Sequence, residues 1–199
     1  MCFFKGARRL NPPRPRSVPF WDLSTVLEAM KGAPFKPLQS ADLKHLSLKN
    51  ALLLALASVK RVGDLQALSV STSCLEFWPN DSRVVLKPKQ GYVPKVLSTP
   101  FRAQVISLVA LPSPDDERDS NLLCPVRALR FYLERSASLR QSEQLFVCFG
   151  GCAKELVVTK QRLSHWIVDA IPLAYESKGL HCPLGVRAHS MRGNEDVAY

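Results

Sequence analysis

A histidine and an arginine stand one helical turn apart late in this chain, in Gly185-Val186-Arg187-Ala188-His189-Ser190-Met191-Arg192-Gly193. Positions i and i+3 of a helix share a face, so His189 and Arg192 can address a single phosphate. Far upstream, Lys60-Arg61-Val62-Gly63-Asp64-Leu65-Gln66-Ala67-Leu68 places a second arginine just after a long apolar run and at the opening of a short helix. A guanidinium fixed there clamps phosphate oxygens bidentately, and the competing reading is a surface pair between Arg61 and Asp64. Between the two arginines lie Lys87, Lys89 and Lys95. On a hairpin, a lysine projects its ammonium outward, where it can reach a groove and hand a proton to a leaving oxygen. The order Arg, Lys, His-x-x-Arg is a set suited to phosphoryl transfer at a diester without a metal. Arginines stabilise charge on the non-bridging oxygens, while Lys and His move protons.

These groups need a frame, and the hydrophobic pattern supplies one. Phe20, Leu23, Val26, Leu27 and Met30 recur at helical spacing and stop at Gly32 and Pro34. A second helix is predicted over about 40–58, with Asp42, Lys44, His45, Lys49 and Asn50 on its polar side and Leu52 to Ala57 buried all round. A short third helix is predicted over 62–68. The period then changes: segments 74–78, 83–86 and 92–97, separated by Pro79-Asn80-Asp81-Ser82 and Pro88-Lys89-Gln90-Gly91, predict three short antiparallel strands. Helices are predicted again over 101–111, 123–133 (with Pro125 in the first turn) and 161–174, with a Pro/Asp loop over 112–120. The expected class is α+β, mainly α, with one small three-stranded antiparallel sheet.

Lys and Arg number 27 against 17 Asp and Glu, a formal net charge of +10 and a pI near 9.6. An excess of this sign favours a polyanionic partner, because each neutralised phosphate releases counterions. Residues 1–19 concentrate Arg8, Arg9, Arg14 and Arg16 among Pro12, Pro13, Pro15 and Pro19, which predicts a disordered basic arm ahead of a domain over 20–199. The six cysteines contain no Cys-x-x-Cys, so reduced thiols of an intracellular protein are expected and no metal site is assigned. The start has no apolar signal region, and the longest apolar run, 51–59, is too short to cross a bilayer. The sequence therefore reads as a soluble, non-secreted protein.

The segments 60–68 and Ala188-His189-Ser190-Met191-Arg192-Gly193 resemble the two arginine boxes of the tyrosine recombinases, the integrase superfamily. More narrowly, segments 57–65, Gly91-Tyr92-Val93-Pro94-Lys95-Val96, 123–129 and 186–190 are similar to the recombinase of DIRS-like retrotransposons found widely in fish genomes. The similarity covers most of the chain from about residue 20. It implies a recombinase catalytic domain acting on double-stranded DNA in the nucleus, in recombination or integration of a mobile element, with self-association on DNA possible and no cofactor. In that family a tyrosine hydroxyl attacks a phosphodiester to give a 3′-phosphotyrosine and a free 5′-hydroxyl. Carried over, Arg61 and Arg192 clamp the scissile phosphate, His189 assists proton transfer, and Lys87 is the first choice of general acid, with Lys89 and Lys95 as alternatives. Lys60, Lys89, Lys95 and Arg187 are the expected DNA contacts. The family's terminal helices and nucleophilic tyrosine lie beyond the second box, so the expectation is a domain incomplete at its C-terminus. Tyr199 is not expected to serve as nucleophile, and Tyr92, Tyr132 and Tyr175 fit packing. The alternative is a DNA-binding remnant without strand cleavage. Poor solubility of the isolated chain is expected, because apolar surface that the terminal helices cover in the family stands bare.

Overall fold

The computed structural model describes residues 21–94, 105–112, 122–150, 157–183 and 185–186. In chain order the elements are α1 (Leu23–Ala29), α2 (Leu43–Ser58), α3 (Val62–Gln66), β1 (Leu75–Phe77), β2 (Arg83–Leu86), β3 (Ile106–Val109), α4 (Pro125–Ser136) and α5 (Lys160–Ser177). The architecture is mostly helical with one three-stranded antiparallel sheet in the order β1-β2-β3. No helix among the described residues is long and apolar enough to cross a membrane.

The core is organised around α2, which packs on both α4 and α5. Every residue from Leu46 to Leu54 is buried, so this helix has no wet stripe along its middle. That corrects the expected polar side, which included Lys49 and Asn50. Lys49 reaches the end of α1 and donates from Nζ to the Met30 carbonyl at 2.7 Å. Asn50 donates from Nδ2 to Leu46 and Ala128 carbonyls at 2.9 and 3.0 Å, bonding α2 to α4. The Met30 carbonyl, just past the end of α1, has no helical donor and is free for Lys49, whereas the Leu46 and Ala128 carbonyls lie inside helices and take Asn50 Nδ2 as an additional donor. Asn50 Oδ1 is buried with no hydrogen-bond partner among the described residues. The all-round burial also sits earlier than expected, since Ala57 is exposed and Ala55 and Leu56 are half-buried.

The other helices follow local rules. Asp22 caps α1 by accepting from the Ser24 and Thr25 amides at 3.1 and 2.9 Å. Cys124 precedes α4, whose first residue is Pro125, a position where the missing N–H has no helical partner to lose. Thr159 caps α5 through the Arg162 amide at 3.2 Å, and the helix continues through Pro172 to Ser177, three residues past its predicted end. Tyr175 near that end accepts from the Asp22 amide at 2.8 Å, which joins α5 to the start of α1. Trp166 on α5 packs edge-on against Phe146 and stacks on Phe149 at 4.7 Å. Cys74, Cys124 and Cys148 are buried free thiols.

The first two strands match the sequence expectation, and the third does not. β3 is Ile106–Val109, inside the stretch expected as a helix over 101–111. Its residues alternate, with Ile106 and Leu108 buried and Ser107 and Val109 exposed, and they pair with β2 as Arg83↔Val109, Val84↔Leu108, Val85↔Ser107 and Leu86↔Ile106. Period two over four residues outweighs a longer apolar run when a strand edge is waiting. Residues 92–94 are not in a strand: the Tyr92 amide bonds back to the Lys89 carbonyl at 3.2 Å, and Pro94 has no N–H to give a ladder. Residues 95–97 of that expected strand lie outside the described residues.

Helix α3 ends at Gln66 rather than Leu68 because Ala67 caps it and the chain enters a ladder from Leu68. Ala67–Val70 pairs on both edges. On one, Ser69 donates to Lys87 at 3.2 Å and Lys89 donates to Ala67 at 2.8 Å. On the other, Leu145 donates to Leu68 at 2.9 Å and Val70 donates to Glu143 at 2.7 Å. This short ladder fixes the exit of α3, the exit of β2 and the segment after α4 side by side.

Candidate functional site

Arg61 occupies the N-cap of α3 with extended backbone, φ −71° and ψ 149°. It follows Val59, which ends α2 at φ 53°, a left-handed conformation that a β-branched residue adopts only under constraint. The Arg61 carbonyl accepts from the Asp64 amide at 2.8 Å, and the Asp64 carboxylate reaches back to the Arg61 amide at 3.3 Å. Asp64 thus supplies the N3 half of a capping box, while the Arg61 side chain, which has no acceptor, takes no part in the cap. The other carboxylate oxygen accepts from the Tyr92 hydroxyl at 2.7 Å. Asp64 therefore meets Arg61 through its backbone, and the exposed Arg61 guanidinium makes no ion pair among the described residues. The alternative of an Arg61–Asp64 surface pair is not what forms.

Lys87 is exposed immediately after β2, and its amide extends the β1–β2 ladder by donating to Cys74 at 2.8 Å. Lys89, also exposed, is bonded to Ala67, the residue after α3. Both ammonium groups thus leave a backbone that is hydrogen-bonded to the segment continuing from α3. Lys60 is half-buried beside Arg61. Of the expected site residues, the structure brings Lys60, Arg61, Lys87 and Lys89 onto one connected piece of backbone. Lys95, Arg187, His189 and Arg192 lie outside the described residues, as does Tyr199.

The turn that bears Arg61 is joined to the segment that bears Lys87 and Lys89 through Tyr92, whose role the sequence did not disclose. Burial, then the hydrogen bond to Asp64 and its charge, push the phenol up to about 12, against an opposing pull from Arg61. It stays protonated at neutral pH and acts as a donor. Asp64, three residues after Arg61, has a spacing that signals a cap; its second partner, 28 positions later, has no local signature. Tyr92→Phe keeps the ring and removes the donor. The expected result is a loss of about 1 kcal/mol in urea unfolding, the typical net value of an intramolecular hydrogen bond. No change would show that water replaces the phenol without cost.

Each described tyrosine has its hydroxyl in a protein hydrogen bond. Tyr132 is fully buried, accepts from the Val147 amide at 3.0 Å and is pushed up to about 12 by burial. Tyr175 is buried and accepts from Asp22.

No family model matches the chain, and no curated protein matches it. Among solved structures, the chain is similar to one described as the crystal structure of XerA recombinase, at 18% identity and a TM-score of 0.49. That match covers 96% of this chain and 55% of the other, so the chain spans about half the length of that protein.

Proposed function

We propose that this chain is a DNA-binding domain of the tyrosine-recombinase kind, which holds a phosphodiester of duplex DNA against Arg61 and the lysines that follow β2. The observation that carries the reading is an exposed arginine with no ion pair among the described residues, held through its backbone by Asp64 and joined by Tyr92 to the segment bearing Lys87 and Lys89. Cations presented from a fixed backbone suit phosphate oxygens, and a formal net charge of +10 favours the approach of a polyanion. In the full proposal His189 and Arg192 complete the set. In the reaction that the resemblance implies, for which no tyrosine of this chain is assigned as nucleophile, a tyrosine oxygen would displace the 5′-oxygen from phosphorus, Lys87 would protonate that leaving oxygen, and the tyrosine proton would pass to a base assisted by His189. One P–O bond forms as one breaks, so the bond energy is kept for rejoining. The resemblance to DIRS-like recombinases supports a mobile-element setting in the nucleus.

Arg61→Ala is expected to weaken binding to a DNA duplex about tenfold in a gel shift, the effect of losing one well-placed charged contact. Strand breakage is tested with a nicked suicide duplex, on which an active recombinase domain accumulates a covalent protein–DNA adduct. A second reading, binding without cleavage, draws on the three described tyrosine hydroxyls, all engaged in protein hydrogen bonds. It expects the gel shift and no adduct. Absence of any duplex binding at low salt would overturn both.

A further inference from the structure

We propose that Lys160, at the start of α5, is a further phosphate contact of the Arg61 site, an inference that rests on the DNA-binding reading above. The geometry starts at Gly63, two residues after Arg61. A Cβ built on Gly63 would stand 3.7 Å from Lys160 Cε, 3.8 Å from its Cδ and 3.7 Å from the Tyr92 hydroxyl oxygen. The absent side chain leaves a seat on α3, and the lysine stem and the phenol close over it together. Lys160 thereby reaches the turn that presents Arg61, although 99 positions separate the two in sequence.

The approach is built rather than incidental. The Val158 carbonyl, two residues before Lys160, accepts from Gln66 Nε2 at 3.2 Å and from Gln144 Nε2 at 3.0 Å. Gln144 Nε2 also donates to the Gln66 carbonyl at 2.8 Å. Two side-chain amides thus hold the entrance of α5 to the end of α3. Lys160 is exposed and makes no ion pair among the described residues, while Asp64, the carboxylate of this turn, is occupied by Tyr92 and the Arg61 amide. An ammonium whose stem packs along apolar and small groups keeps its head in water, ready for an anion. With Arg61 on the same turn, the anion that fits is the phosphate of a nucleic-acid backbone.

The test is binding of a fluorescein-labelled DNA duplex by the full chain, followed by anisotropy across a salt series. Lys160→Ala is expected to weaken binding several-fold and to flatten the slope of log K against log salt by about 0.9, one phosphate contact. Lys160→Arg is expected to restore both. Gly63→Leu, which fills the seat and displaces the lysine stem without removing a charge, is expected to weaken binding as well. The control is Lys178→Ala, an exposed lysine just past the other end of α5. If Lys160→Ala matches Lys178→Ala in affinity and slope while the unaltered protein binds, the proposal is overturned and the DNA reading stands. If the unaltered protein does not bind, the DNA reading fails first.

Discussion

Lys49→Met is expected to stabilise the protein at pH 6 by roughly 2 kcal/mol and to destabilise it by about 1 kcal/mol at pH 10, where the charge penalty is almost gone and the lost bond to Met30 remains. Lys49 is fully buried, with a single bond to the Met30 carbonyl, and burial together with the Lys36 charge pulls its pKa from 10.5 to about 7. A folded value below the unfolded one means that the unfolded chain binds more protons between pH 7 and 10.5. Stability therefore rises with pH across that window, and below pH 7 the full penalty is present. A shift of that size corresponds to about 5 kcal/mol as an upper bound. Methionine fills the same volume without charge but leaves the Met30 carbonyl without its lysine, which costs about 1–3 kcal/mol. Urea unfolding of both proteins at pH 6 and pH 10 decides it. Equal slopes of stability against pH in the two proteins would show that Lys49 is not the titrating group.

The second large effect is expected at Arg140. Its guanidinium donates to the Gln144 carbonyl at 2.7 Å, the Leu145 carbonyl at 3.0 Å and the Ser136 hydroxyl at 2.8 Å, and it lies over the Tyr132 ring at 5.7 Å. Residues 143–145 form one edge of the ladder on Ala67–Val70, so Arg140 supports the segment that joins α3 to the lysines. Arg140→Ala leaves two carbonyls short of a donor and removes a cation from an aromatic face, a loss of about 3 kcal/mol. Arg140→Lys, with one ammonium in place of a planar fork, is expected to recover less than half of it. Urea unfolding again measures this, and a loss below about 1 kcal/mol would mean that water substitutes freely for the guanidinium.

The helices were largely legible in the sequence because their signals are local. The apolar run of α2 and the spacing of Leu163, Trp166, Ile167, Ala170 and Ile171 in α5 state a helix and its buried face directly. Pro79-Asn80-Asp81-Ser82 stated the turn between β1 and β2. What failed depended on partners distant in sequence. Lys49 and Asn50 read as solvent-facing until Met30 and Ala128 supply acceptors from other helices. Ile106–Val109 is too short to declare a strand by itself and becomes one against β2. The candidate site divides in the same way. Arg61, Lys87 and Lys89 stood out by residue type and order, whereas the bond from Tyr92 to Asp64 and the seat of Lys160 on Gly63 exist only once three separate segments meet.

The central claim is that Arg61 and the lysines after β2 form one phosphate-binding surface. Its most direct test is the salt dependence of duplex DNA binding for the unaltered protein and for the triple variant Arg61→Ala, Lys87→Ala, Lys89→Ala. The expected result is a steep fall in affinity with salt for the unaltered protein and a slope flatter by about 2–3 in the variant, one unit for each phosphate contact removed. An equal slope in the two proteins, or binding that does not respond to salt, would contradict it.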